Sequence, residues 1–230
     1  MRKFFYLILV LVLAAGCCTK TGKLPSLLNP NPEVVLFETL LRATAKVDTA
    51  QSVGTAFAVD TNLGNGHTLV LTAGHVCLTE QEEVRDSVTL SNPLWKEPIT
   101  ATIIVVSMEW DLCAMEIEGG LLEGLPIAKK LMNFGEPVYM VSDPLGQFPV
   151  PFQGRVAHEN QSLGRYLYSM TAIGGVSGSA IVNAQGQVVS VASQLLTNGL
   201  FGTGFSHLLV GPKTADVAYF VALVKEVYND

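Results

Sequence analysis

What this 230-residue chain has little of narrows its function before any motif is considered. Charged residues make up only 15% of it and aromatic residues 8%. Basic residues do not cluster, and 14 Lys and Arg face 20 Asp and Glu, for a formal charge of -6 at pH 7. A chain without a basic stripe lacks the electrostatic footprint of a nucleic-acid binder, so no nucleic-acid partner is expected. There are only four histidines and four cysteines, with no CxxC pair and no HExxH sequence. That spacing excludes the familiar zinc patterns, so neither a metal nor another cofactor is expected. The longest uninterrupted apolar run, Phe4 to Ala15, is too short for a comfortable membrane span.

The remainder is apolar and finely punctuated. Hydrophobic residues reach 49%, with Val, Gly and Thr prominent, and 21 Gly and 11 Pro interrupt the sequence at short intervals. Such texture favours many short strands over long helices. The length suits one large domain or two small ones with a sizeable core. At the N-terminus, Arg2 and Lys3 precede the apolar run as the basic segment of a secretion signal does. The run ends in Leu13-Ala14-Ala15-Gly16-Cys17, which resembles the lipobox of bacterial lipoproteins, although Ala14 stands where Leu is commoner. The resemblance implies a signal peptide over residues 1–16 and lipidation of Cys17. The chain is then exported and anchored by lipid to a bacterial membrane, on the periplasmic or extracytoplasmic face. Cys18 follows directly as a tether residue or a second modified position.

Residues 17–50 read as tether and lead-in. Thr19 to Pro32 is polar and Pro-containing, and Glu33 to Thr44 has apolar residues at helical spacing. From Val53 onward strands alternate with turns. Val53–Asp60 and His67–Thr72 flank an Asn/Gly turn, followed by Ser87–Ser91, Ile99–Ser107 and Asp111–Ile117. Gly119 to Lys130 reads as a linker. A second β-rich run covers Pro137–Ser142, Phe152–Ala157, Tyr166–Thr171, Ser179–Asn183, Gln187–Ser193 and Thr203–Leu208. Residues 51–212 thus form one domain in two β-rich halves, about 51–118 and 133–210. Residues 213–230 read as a C-terminal helix with Val217, Phe220, Val221, Val224 and Val227 at three- and four-residue steps, a face for packing.

One stretch carries the chemistry. Gly174-Gly175-Val176-Ser177-Gly178-Ser179-Ala180 sets a serine in a glycine turn between apolar runs. A serine hydroxyl is a weak nucleophile without a base and without donors for the oxyanion. His75 in Thr72-Ala-Gly-His-Val76 stands just after a strand, and Asp111 opens the apolar segment Asp111-Leu-Cys-Ala-Met-Glu-Ile117. An acid there is costly to bury without a partner.

In the order His75, Asp111, Ser177, these segments resemble the chymotrypsin-like serine proteases, closest to the bacterial HtrA/Deg-type protease domain without a PDZ domain. Gly54-Thr-Ala-Phe57, Gly135-Glu-Pro-Val-Tyr139, Gly154-Arg-Val156 and Gly202-Thr-Gly-Phe205 extend the resemblance from about Val53 to Leu208. The resemblance implies an all-β fold of two six-stranded antiparallel barrels with a C-terminal helix. It implies a serine endopeptidase acting on protein or peptide substrates. Ser177 would be the nucleophile, His75 the base, Asp111 the orienting acid, and the Gly175 and Ser177 N–H groups the oxyanion hole. Ser193 matches the serine that bonds the triad acid. The side-chain pocket would lie around Thr171, Ala172, Gly204 and Ser206; none is acidic, which disfavours Lys or Arg at the cleavage site and suits a small or medium apolar side chain. Val176 departs from the digestive relatives' Asp, so activation by a new N-terminus is not implied. A catalytically silent relative that binds peptides or a protein partner is the alternative. Cys77 and Cys113 lie beside the catalytic candidates. A bridge between them is open, with two separate buried thiols preferred.

The anchor has a direct test. Cys17→Ser should abolish incorporation of labelled fatty acid, and acylation that persists would place the anchor elsewhere.

Overall fold

The computed structural model describes residues 31–229 except 64–65, 163 and 196–204. The expected signal peptide, the Cys17 anchor and most of the tether lie outside the described residues. Helix α1 (Pro32–Ala43) begins with Pro and Glu33, and Arg42 lies in its last turn, charges that oppose the helix dipole favourably. Leu36, Leu40 and Ala43 recur at helical spacing and are buried.

The chain passes without a gap from α1 into β1 (Thr44–Asp48), ahead of the residue-51 boundary expected for the first β-rich half. Here Ala45 and Val47 are buried while Lys46 and Asp48 reach solvent, a period of two too short to stand out after a helical pattern. With β2 (Val53–Asn62), β3 (His67–Ala73), β4 (Ser87–Ser91), β5 (Ile99–Ser107) and β6 (Leu112–Glu118), it forms a closed barrel ordered β1-β2-β3-β6-β5-β4. β1 supplies the closure by pairing with both β2 and β4, which leaves no strand edge.

The second half holds seven named strands: β7 (Pro137–Ser142), β8 (Val150–Asn160), β9 (Arg165–Ile173), β10 (Ala180–Val182), β11 (Val188–Val191), β12 (Gln194–Leu195) and β13 (Phe205–Pro212). Their order is β11-β10-β7-β8-β9-β13-β12. The two outer members are neighbours in sequence, so the sheet curls back on itself. The expected fifth strand of this barrel, Gln187–Ser193, ends at Val191, and after a break at Ala192 and Ser193 the chain resumes pairing as the short β12. Ser193 donates its N–H to Val210 O at 2.9 Å, while Ala192 binds Gly178 and Ser179 instead of a strand.

Strands between the barrels are apolar on both faces because both are buried. In β3, Val70 points into the first barrel with Cys113 and Met115, whereas Leu69 and Leu71 meet Leu112, Ala114, Tyr139, Val141 and Val188 in a shared core. Val138, Met140, Tyr168 and Ile181 fill the second barrel. Helix α2 (Thr214–Asn229) adds Val217, Phe220, Val221 and Val224 to the shared core, whereas Val227, expected on the same face, is exposed. Among the described residues no helix is long and apolar enough to cross a membrane.

The preference for two separate thiols is overturned: Cys77 and Cys113 form a disulfide with their Cα atoms 6.5 Å apart. Both are buried in the first barrel. A sequence separation of 36 hides the fact that β3 and β6 are sheet neighbours, with Thr72 opposite Cys113. Closing a loop of that length restricts the unfolded chain. Replacing both cysteines with Ala should lower the stability seen in urea by about 3–4 kcal/mol, and unreduced, unfolded protein should show no titratable thiol at either position.

Candidate active site

β3 and β6 pair as far as Ala73 opposite Leu112, so the residues just beyond them are delivered to the same place. After Ala73 the chain enters a single 3-10 turn, Gly74–Cys77, which carries His75. Asp111 occupies the tight turn before β6 rather than the strand itself, at a left-handed φ of 53°. Gly74 is needed between them, because a Cβ there would stand 3.1 Å from both Asp111 Oδ1 and Leu112 N. His75 donates its main-chain N–H to Asp111 Oδ1 at 2.9 Å. Its ring Nδ1 lies 3.0 Å from each carboxylate oxygen. The side chains are 43% and 5% exposed respectively, so the imidazole is open to solvent while the acid is enclosed. The tautomer with a proton on Nδ1 donates to Asp111 and leaves the Nε2 lone pair free.

The hydroxyl of Ser193, which stands in the break between β11 and β12, donates a hydrogen bond to Asp111 Oδ2. Burial works to raise the Asp111 carboxyl. The His75 ring hydrogen bond and charge, the Ser193 hydroxyl and the His75 N–H outweigh it and hold the carboxyl below its ordinary value.

Ser177 is half-buried in a turn that both barrels grip. Its carbonyl accepts the Thr55 N–H at 2.8 Å, and the Gly178 N–H reaches Ala192 O at 2.7 Å. Gly175 and Gly178 have φ of 95° and 88°, open to glycine at little cost. Any Cβ at Gly178 would overlap Thr55 O and Thr72 Oγ1. Thr55 is the hub of this contact. Its hydroxyl donates to Gly175 O at 2.9 Å, and its carbonyl accepts the Thr72 hydroxyl at 2.7 Å. Val76, next to the histidine, and Ser177 O both lie against Gly54, which sets the serine turn beside the histidine turn. Among the described residues, the N–H groups of Gly175 and Ser177 have no hydrogen-bond partner. Among the same residues no hydrogen bond joins Ser177 Oγ to His75.

Of the residues expected to line a side-chain pocket, Thr171 and Ala172 end β9, the first half-buried and the second buried. The main chain of Ser206 in β13 pairs with Ala172. Gly204 lies outside the described residues. Thr55 and Thr72 lie inside the segments Gly54–Phe57 and Thr72–Val76, where nothing in the sequence marks their bonding role. Arg165, equally unmarked, reaches from the second barrel to the carbonyls of Trp110 and Glu109 at 2.9 Å each. The Trp110 ring stands edge-on to Tyr219 and Phe220 of α2. Arg165 and α2 thereby brace the turn that presents Asp111. Nothing local marked Arg165; a cation at a strand start is ordinary.

The family model for the trypsin-like peptidase domain matches residues 54–191, more than half of the chain. No curated protein matches. Among solved structures, the HtrA-type protease AlgW with a tripeptide aligns with a TM-score of 0.71 at 17% identity, over 86% of this chain and 64% of that one. The serine endoprotease from Yersinia pestis aligns at 0.68 and 16% identity, over 86% and 68%. The inactive form of the Rv3671c protease aligns at 0.65 and 16% identity, over 85% and 97%; its organism is M. tuberculosis. At such identities the likeness establishes the fold. The chain spans 62–64% of the length of the AlgW chains it matches.

The lowered Asp111 carboxyl makes a pH prediction. A depressed acid stabilises the folded state fully above its ordinary value of 3.8, and the contribution is lost as the pH falls through the lower folded value. Urea unfolding of wild type should therefore weaken more steeply below about pH 4 than that of Asp111→Asn. Parallel curves would show that the carboxylate is not held this way.

Proposed function

Because this chain belongs to the trypsin-like peptidase family, we propose that it is a serine endopeptidase working through His75, Asp111 and Ser177. The observation that carries the proposal is the hydrogen-bonded series Ser193–Asp111–His75 beside a serine turn with two unpartnered N–H groups. In this reading, Ser177 Oγ attacks the scissile carbonyl while His75 Nε2 takes its proton. Asp111 keeps the Nδ1 proton in place and stabilises the imidazolium that forms. The oxyanion is met by the N–H groups of Gly175 and Ser177, already aligned by the turn, so little reorganisation is required. His75 then protonates the leaving amine, and water hydrolyses the acyl-enzyme by the same relay in reverse. Substrates are proteins or peptides with a small or medium apolar side chain at the cleavage site, bound around Thr171, Ala172, Ser193, Gly204 and Ser206. A lipid on Cys17 would confine this activity to a membrane surface.

One observation favours a second reading. No hydrogen bond joins Ser177 to His75 among the described residues, as expected of a silent relative that binds peptides in the same cleft; catalytic hydrogen bonds are also often open before substrate arrives. A fluorophosphonate probe separates the two. Labelling of wild type that disappears in Ser177→Ala supports the peptidase, and folded wild type that resists the probe supports the binding protein. In the peptidase, Ser177→Ala should lower kcat by about 10⁶ and Asp111→Asn by about 10⁴.

A further inference from the structure

Outside the triad, Asp143 is a buried acid whose carboxylate is left poorly satisfied among the described residues. Asp143 directly follows β7 and is 0% exposed, yet among the described residues neither of its carboxylate oxygens has a partner in good hydrogen-bond geometry, the Phe148 N–H being only a nearby donor. A charged carboxylate is costly in such a place, whereas a neutral acid is tolerated. The main chain of the same residue stands directly behind the serine turn. Its N–H donates to Thr55 Oγ1 at 3.1 Å, the hydroxyl that in turn holds Gly175 O. Its carbonyl packs so closely on Gly175 that a Cβ there would overlap it. Two residues on, the Leu145 N–H donates to Gly174 O at 2.8 Å. In a planar trans peptide the C=O and the following N–H point in opposite directions. Tying Gly174 O to Leu145 therefore aims the Gly175 N–H away from this segment, free to meet an oxyanion.

We propose that Asp143 is a positioning residue for the oxyanion hole, holding the Gly174–Gly175 peptide in register only while its carboxyl is uncharged. The proposal rests on the peptidase reading and adds a pH dependence to it. The charged groups facing Asp143 are Lys46 and Asp48 of β1, which pair with each other at 3.5 Å. The other neighbours, at Thr55, Phe148 and Gly175, offer a hydroxyl and main chain. Burial pushes the Asp143 carboxyl up to about 6; Lys46 opposes the rise, Asp48 adds to it, and the Phe148 N–H opposes it. An acid whose folded value lies above its ordinary one loses stabilisation as pH climbs between the two. Once ionised, the carboxylate must draw Lys46 from Asp48 or move towards water. Either movement carries Asp143–Leu145 along, and with it the anchor of Gly174 O.

Two readouts test this in the intact protein. The first is the Gly175 amide signal followed by NMR across about pH 4 to 9. It should shift with a midpoint near 6 in wild type and lack that step in Asp143→Asn, which also controls for titration of His75. The second is the rate of Ser177 labelling by a fluorophosphonate. Wild type should lose up to about tenfold per pH unit above the midpoint, and Asp143→Asn should keep its rate. If Asp143→Asn does not fold, Lys46→Met should move the midpoint up and Asp48→Asn should move it down. A Gly175 step and a labelling limb unchanged in Asp143→Asn, or midpoints indifferent to Lys46 and Asp48, would overturn the proposal. Folded wild type that shows the Gly175 step but is never labelled would instead overturn the peptidase reading and leave the positioning role supported.

Discussion

A carboxylate enclosed as completely as that of Asp111 stays charged only if donors replace the water it has lost. The His75 N–H, the His75 ring and the Ser193 hydroxyl do so, and each is delivered by a different piece of the chain. β3 and β6 must pair to bring the histidine turn over the acid, and the first barrel must close for that pairing to hold. Ser193 arrives only where the strand of the second barrel breaks. The site is thus the point at which both barrels satisfy one buried charge. Losing any one donor would leave that charge under-compensated rather than merely subtract one bond.

The serine turn obeys the same logic with main-chain groups. Thr55, from the first barrel, holds Gly175 and Ser177 from the second, and Thr72 holds Thr55. Glycine at 178 is fixed by this contact as well as by its φ. Arg165 and α2 act at a greater distance on the turn before Asp111, so the C-terminal helix contributes to site geometry as well as to the core.

Much of this was legible in residue order alone. Alternation of apolar residues located most strands, and the segments around His75, Asp111 and Ser177 pointed to one cluster. What escaped was set by partners far along the chain. β1 hid behind a helical pattern because five residues give periodicity little room. The Cys77–Cys113 bridge depended on sheet order, which spacing does not encode. Arg165 lies 55 residues from Trp110, and its two bonds go to carbonyls that no side-chain pattern announces. Asp143 carries no mark in the sequence beyond standing before Pro144; only the enclosure of its side chain sets it apart.

The broken strand between β11 and β12 has a consequence for the order of events during folding. Its first half completes pairing with β10, its second half completes pairing with β13, and the gap seats the serine turn through Ala192. That turn is also held by Thr55, 120 residues earlier in the chain. Contacts of such long range form late, because their loop-closure cost must be met before they stabilise anything. The hydroxyl of Ser177 therefore acquires its surroundings only once both barrels exist. On the proposed peptidase reading, a nascent or partly folded chain carries the serine but not the site, and is safe from itself and from its sister chains until folding is complete.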